Sequence, residues 1–546
     1  MPSGKATKKP AKKAHTDSPV APVGKVSKKP LAPKAAQKAA NKAKDAVRKG
    51  AKIKQTKKVA LGKALPTNSA PARLPLAYPA EGLGIFVPAT LKRAWSRLDQ
   101  EKPSQSASHA AALVKLGQAS PSQVRKPTAT KASTERQEVG LFLVRSTASS
   151  AAQALSSYPV ELNADSRKRQ IDRLRDFRND TKAQVAEAER WLLDHNRQRG
   201  TARSSGLISA GRILQLTPEE ATELRRDVRG IQVIENRVLS IVTPTRVTLA
   251  VGGASEAACW HLEAIGQRTA RRDGRAFSGR GVHVAVLDTG VQLDHPELAG
   301  RVFEGWKIDP RNPAVDASAV VRDTQHRDTD GHGTHVAGLI CGTTVGVAPG
   351  AQVMSMLMMP RGYATTFDFI RCLDWAAEQP EIALVNFSAG EFPFNDDMMP
   401  LVDDLIRTGV LPFFAVGNDG QNRTRSPGNY IDGISVGSVD PPQGGTVSAF
   451  SGSGQMTYNH TSYEVPDIVA PGGRIHSSYR GGGYAELDGT SMATPIACGV
   501  AACFLERAGG ALSPGQLSDL LYRSCTSLAG ELKIRQGHGL VQVPSR

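Results

Sequence analysis

Three short stretches put a reactive side chain beside glycine, where backbone can come close to a substrate. Val284-Ala285-Val286-Leu287-Asp288-Thr289-Gly290 ends an apolar run on a carboxylate. Asp330-Gly331-His332-Gly333-Thr334-His335 places His332 at a predicted helix start, and Gly489-Thr490-Ser491-Met492-Ala493-Thr494-Pro495 sets Ser491 just ahead of another helix. A serine hydroxyl is a weak nucleophile until a base takes its proton, and that base needs a third group to fix its tautomer and balance its cation. Ser491, His332 and Asp288 supply those roles in turn. A nucleophile at a helix start also faces backbone N–H groups and the positive end of the helix dipole, which suits a developing oxyanion. Phe414-Ala415-Val416-Gly417-Asn418-Asp419-Gly420 ends a further strand on an amide, so Asn418 is the candidate for a second oxyanion donor.

Holding such residues together calls for strands that end at one place. From about residue 260, apolar runs at 282–287, 353–358, 383–387 and 411–416 alternate with helical patterns at 335–341, 366–378 and 398–408. Near-continuous apolar strands separated by helices are the pattern of a parallel sheet covered on both faces. The expectation is a doubly wound, mostly parallel α/β domain over 258–546, with reactive residues at the carboxyl ends of its strands. Upstream, 139–144 reads as a strand, and 165–197 carries Ile171, Leu174, Phe177, Val185, Ala188 and Leu192 as an amphipathic helix or a broken pair. Residues 213–216 read as a strand, and Thr217-Pro218-Glu219-Glu220 is a capping box with proline at the first helical position. Residues 231–234 and 238–242 then suggest a hairpin. Together these elements predict a small α+β domain over 138–244.

The four reactive segments, in the order Asp, His, Asn, Ser, resemble the signature stretches of the subtilisin-like serine proteases (subtilases, peptidase family S8), over about residues 260 to 546. Any one segment is a weak signal, since Asp-Thr-Gly also occurs in aspartic proteases; four in this order are specific. The resemblance implies a serine endopeptidase acting on protein or peptide substrates through an acyl-enzyme. In that reading Asp288 orients His332, His332 serves as base and then acid, and Ser491 attacks. Asn418 and the Ser491 amide then hold the oxyanion. The resemblance also makes Ser388-Ala389-Gly390 the edge that pairs with an extended substrate, with 358–362 opposite, a binding mode of the β-augmentation kind. Residues 140–242 are similar to the inhibitory propeptides of these enzymes, which chaperone folding and occupy the cleft until cut; the cut is expected between 243 and 258. No cofactor is implied. The loop at 341–346 is too short for the calcium loop many relatives carry, and Glu297 alone is not a site, so no calcium is expected at that position and no metal ligands are assigned, with calcium elsewhere left open. Pro495 is followed by Ile496, where relatives often have a histidine outside the triad. His335 reads as a packed helical residue, and Asp294 and His295 as a turn.

Charge is concentrated at one end. Residues 1–75 hold 20 Lys and Arg against Asp17 and Asp45, which accounts for the whole formal charge of +18 and leaves the remainder neutral. This Lys/Ala/Pro-rich segment has too few large apolar groups to offset the entropy of ordering and is expected to be a disordered basic tail. It resembles linker-histone tails and could bind nucleic acid in a salt-dependent way, touch anionic lipid, or serve as a solvated tether. Residues 76–137 form a Pro/Ser/Ala-rich linker with no assignable role. The basic start runs into no apolar stretch of the secretory kind, and no run is long enough for a membrane-spanning helix. The six cysteines are scattered inside apolar stretches as small buried thiols, and a reducing, cytoplasmic setting is expected. A second reading is a nucleic-acid-associated or scaffolding protein that uses the protease fold as a binding module. All four reactive residues at strand and helix ends favour the enzyme.

Overall fold

The computed structural model describes residues 139–147, 161–177, 182–195, 202–250, 253, 255 and 258–544 except 326, 443 and 444. The basic tail at 1–75 and the linker at 76–137 lie outside the described residues.

The N-terminal folded region is built on strand β1 (Gly140–Ser146), which pairs antiparallel with β3 (Gly211–Leu216) and β4 (Ile231–Glu235), while β2 (Ala202–Ser204) joins β3. Successive strand side chains point to opposite faces. Phe142 and Val144 therefore pack under helices α2 (Lys182–Asp194) and α3 (Pro218–Asp227), and Leu143 enters a core shared with the larger domain. Helix α1 (Ala164–Phe177) contributes Ile171 and Leu174 to that shared core. The amphipathic stretch is thus a pair of helices. The capping box opens α3 as its residues require: Thr217 Oγ1 accepts from the Glu220 N–H at 3.2 Å, and the Glu220 carboxylate accepts from the Thr217 N–H at 2.8 Å.

The expected hairpin over 231–242 does not form. Strand β4 pairs with β1, whereas β5 (Val238–Ile241) leaves the sheet and lies between β11 (Tyr363–Thr365) and β13 (Ala389–Gly390). The two residues between β4 and β5 turn the chain toward helix α7 (Thr366–Glu378) rather than back on itself. Asn236 Oδ1 accepts from the Phe367 N–H at 3.0 Å, and the Arg237 carbonyl accepts from the Thr366 N–H at 2.8 Å. Both satisfy N–H groups that a helix start leaves without an internal partner.

In the larger domain, strand order is β16 (Thr446–Val447), β15 (Ile434–Asp440), β14 (Leu411–Ala415), β12 (Ile382–Phe387), β7 (His283–Asp288), β10 (Gln352–Leu357), β8 (Val302–Ile308) and β9 (Val320–Arg322), with β19 (Ile468–Pro471) also on β15. Pairing is parallel except at β8–β9 and β15–β16. The apolar strands feed two cores. Val284, Val286 and Leu384 face helices α6 (His332–Cys341) and α9 (Thr490–Arg507), while Ala285, Leu287, Val385 and Phe387 face α7 and α8 (Met399–Arg407). This is an α/β sheet with helices on both faces. Helices α4 (Trp260–Ala264) and α10 (Pro514–Ser524) add Leu262, Leu517 and Leu521 to the first core. Short helices α5 (Gln267–Arg272) and α11 (Lys533–Gln536) and the hairpin of β17 (Gly454–Tyr458) with β18 (Thr461–Val465) complete it. A last small sheet joins β20 (Ile475–Tyr479), β21 (Gly483–Asp488) and β6 (Arg246–Ala250).

All six cysteines are free thiols, five of them buried. Among the described residues no group of His, Cys, Asp or Glu is placed to hold a metal ion, and no helix is long and apolar enough to cross a membrane. Glu297 instead accepts from the Thr344 N–H at 2.7 Å and the Val345 N–H at 3.3 Å, pinning the short loop after α6.

Candidate active site

Asp288 is the last residue of β7, the strand at the middle of the sheet, and is buried. Its carboxylate oxygens lie 2.9 and 3.0 Å from His332 Nδ1, and Oδ1 also accepts from the Thr289 N–H at 2.7 Å. His332 opens α6 directly after Gly331, whose φ of 119° favours glycine and whose Cβ position is filled by the Tyr479 ring. The close approach of these chain segments therefore depends on the glycine. Burial opposes a charge on His332, but the carboxylates of Asp288, Asp330 and Asp328 outweigh it and hold the imidazole above the ordinary histidine range. His332 Nε2 is buried without a hydrogen-bond partner.

Ser491 is the second residue of α9 and is fully buried. Its hydroxyl donates to the Val242 carbonyl at 2.8 Å, with the Ser388 carbonyl at 3.4 Å. Asn418 follows the end of β14. Its Oδ1 accepts from both the N–H and the hydroxyl of Thr490 at 2.9 Å, which aims Nδ2 at the Thr243 carbonyl, 2.9 Å away. A Cβ on Gly489 would sit 2.9 Å from that Nδ2, so the residue ahead of the helix has no room for a side chain. The structure thus joins Asp288 to His332 and sets Ser491 and Asn418 on the neighbouring carbonyls of Val242 and Thr243, while the Ser491 hydroxyl is not hydrogen-bonded to His332 Nε2.

Ser388, Ala389 and Gly390 lie along the same cleft. The Ser388 carbonyl accepts from the Val242 N–H at 3.0 Å, Ala389 pairs with Ile241, and Gly390 pairs with Ser240. The opposing edge is Tyr363–Thr365 rather than 358–362. Pro360 has no N–H to give a ladder, and Arg361 turns at a φ of 59°, so pairing begins only beyond Gly362. The cleft is filled by the chain itself, which runs on past Ser491: the Thr245 N–H donates to the Asp488 carbonyl at 2.8 Å, and β6 continues as a strand on β21.

His335, one turn after His332, is a packed residue. Burial pushes its imidazole down to about 3, and Nε2 sits 3.1 Å from the carbonyls of Ile475 and Ala485. Sequence reasoning missed Asp374 and Arg167, both fully buried where the N-terminal region meets the α/β domain. Arg167 sits in the run Ser166-Arg167-Lys168-Arg169, which reads as a solvated helix face.

Comparison with known proteins gives the family of the chain. The model of the subtilase family matches residues 279–539. Alkaline serine exoprotease A of Vibrio alginolyticus is 31% identical over 343 residues, 59% of this chain and 59% of that protein. Thermitase of Thermoactinomyces vulgaris is 33% identical over 230 residues, 41% of this chain and 74% of that protein. Subtilisin Savinase of Lederbergia lenta is 33% identical over 273 residues, 49% of this chain and 91% of that protein. The chain therefore spans 59% of the length of the Vibrio protein and most of the other two. The matched stretch contains Asp288, His332, Asn418 and Ser491, and on this combined ground the chain belongs to the subtilase family of serine-type endopeptidases.

Proposed function

We propose that the protein is a serine endopeptidase made as an autoinhibited precursor, with Asp288, His332 and Ser491 as its triad, and that its first substrate is its own Val242–Thr243 bond. The observation that carries this reading is the position of β5. It lies antiparallel between two edges of the cleft with the Val242 N–H on the Ser388 carbonyl and the Val242 carbonyl 2.8 Å from the Ser491 hydroxyl. Paired on both sides, β5 presents Val242 as the residue whose carbonyl is attacked, with Leu239 buried three residues before it. The bond lies one bond upstream of the stretch 243–258 expected from sequence.

In the reaction His332 Nε2 takes the Ser491 proton while Oγ attacks the Val242 carbonyl carbon, and the imidazolium is balanced by Asp288. The resulting oxyanion is met by the Ser491 N–H and Asn418 Nδ2. His332 then passes its proton to the Thr243 nitrogen as the bond breaks, leaving an ester on Ser491 that water hydrolyses by the same steps in reverse. In the resting arrangement the hydroxyl points at Val242 O and Nδ2 at the next carbonyl, Thr243 O. Attack requires Oγ–H to turn to Nε2 and Nδ2 to move to Val242 O. Foreign polypeptides would bind along the same edges once residues up to Val242 have left.

Intact-mass and N-terminal analysis of the wild type and Ser491→Ala, expressed in parallel, tests this. A new chain beginning at Thr243 in the wild type, absent from Ser491→Ala, is expected. An identical cut in both proteins, or a wild-type cut remote from Val242, would overturn the assignment.

A further inference from the structure

Arg167, in the second turn of α1, is fully buried far from the reactive residues in sequence. Its guanidinium reaches five main-chain carbonyls of the α/β domain. Nε donates to Thr408 O at 3.2 Å, Nη2 to Ala376 O at 3.2 Å and Ala377 O at 3.3 Å, and Nη1 to Gln379 O and Ile382 O. Ala376, Ala377 and Gln379 end α7, Thr408 caps α8, and Ile382 begins β12. A guanidinium has five N–H donors in a fixed fork, so donors and acceptors match in number. Two helices finish here together, and their unpaired carbonyls and aligned dipoles make a negative pocket suited to a cation. Burial presses Arg167 down to about 9 against the raising effect of Glu381, and five hydrogen bonds compensate a desolvation that would otherwise expel the charge.

We propose that this five-carbonyl cage is a guanidinium-specific exosite, and that its occupation by an arginine on a helix, here Arg167, holds β5 in the cleft. The proposal rests on the autoinhibited-precursor reading. The coupling is physical and short: Ile171 and Leu174 of α1, Leu143 of β1, Ile234 of β4 and Leu239 of β5 share one core cluster with α7. One helix turn on, Gln170 Nε2 donates to Arg407 O at 3.3 Å, so the same face of α1 lies along the end of α8. Arg167 is a positioning residue that touches neither substrate nor the reacting atoms.

Hydrogen exchange on the full-length Ser491→Ala chain tests the exosite without requiring catalysis, so its outcome is separate from whether Val242–Thr243 is the bond cut. Replacing Arg167 with Ala in that background should speed exchange of the β5 amides by about tenfold or more, since hydrogen bonds to a charged group are the stronger class. Amides in the β1–β3 ladder should keep their protection. Millimolar methylguanidinium should restore β5 protection and methylammonium should not. Unchanged β5 exchange, or equal rescue by both cations, overturns the proposal. If the alanine variant also loses β1–β3 protection, Arg167→Lys, which keeps stem and charge, is read in its place. Faster β5 exchange alone then supports the exosite, and unchanged exchange overturns it.

Discussion

Asn418 shows how a side chain is aimed by its own neighbours. With Oδ1 taken by the Thr490 N–H and hydroxyl, only Nδ2 is left to face the cleft. Asn418→Ala should therefore lower kcat by about 10² to 10³-fold with little change in KM, a magnitude carried over from subtilisin itself. Steady-state kinetics on a peptide substrate checks it, and an equal rise in KM with kcat preserved would assign Asn418 to binding instead. His332 gives a pH prediction. Its pKa is held above the ordinary 6.5 because Asp288 and the two further aspartates outweigh the effect of burial. Attack needs the neutral ring, so activity of the cut enzyme should climb with pH through an inflection above 6.5. Asp288→Asn removes the main raising influence. The inflection should move to lower pH while kcat falls by about 10⁴-fold; an inflection that stays in place would mean Asp288 is not its cause. Asp288, His332, Asn418 and Ser491 were legible in the sequence as candidates because each sits in a contiguous glycine-flanked segment. Arg167 and Asp374 were not, since each acquires its role from groups contributed by distant parts of the chain.

At the scale of elements, strands of the α/β domain were readable because apolar residues at nearly every position fit burial on both faces. The path of β5 was not readable. A run at 238–242 beside another at 231–234 carries the local pattern of a hairpin, and only the exposed edges of β11 and β13 and the bare start of α7 direct it elsewhere. The loop after β2 docks in a comparable way: Asp374 of α7 accepts from the Ile208 N–H at 2.7 Å, and Gly206 has no side chain because a Cβ there would collide with that carboxylate. Burial raises Asp374 to about 7, against the lowering effect of the Ile208 and Ser209 hydrogen bonds, with Glu378 and Asp316 adding to the rise. Once the loop leaves, the carboxyl returns toward its ordinary 3.8. The docked state thus binds the proton more tightly, so docking weakens as pH climbs from about 4 to about 7 and levels off above that. Release of the cut N-terminal fragment should be faster at about pH 8 than at about pH 5. Asp374→Asn should flatten this dependence, as size-exclusion after timed pH jumps would show; an unaltered slope would place the titrating group elsewhere.

For the whole molecule, the N-terminal region is fixed to the α/β domain at three separated points, one each on β5, α1 and β1. β5 fills the cleft, Arg167 fills the carbonyl cage, and Arg145 of β1 makes a buried ion pair with Asp404 of α8 at 2.5 Å. Breaking one contact leaves the others to hold the region at high local concentration, so the strand returns to the cleft before it can diffuse away. Independent contacts joined in this way strengthen binding by about 10² to 10⁴-fold over a single one. A peptide of residues 235–242 supplies the cleft contacts alone, whereas the fragment 138–242 supplies all of them. The fragment should inhibit the cut enzyme at least about 10²-fold more tightly than the peptide, with most of the difference in its dissociation rate. Equal inhibition constants would confine the inhibitory energy to the cleft and leave the anchors on α7 and α8 with a role in folding only.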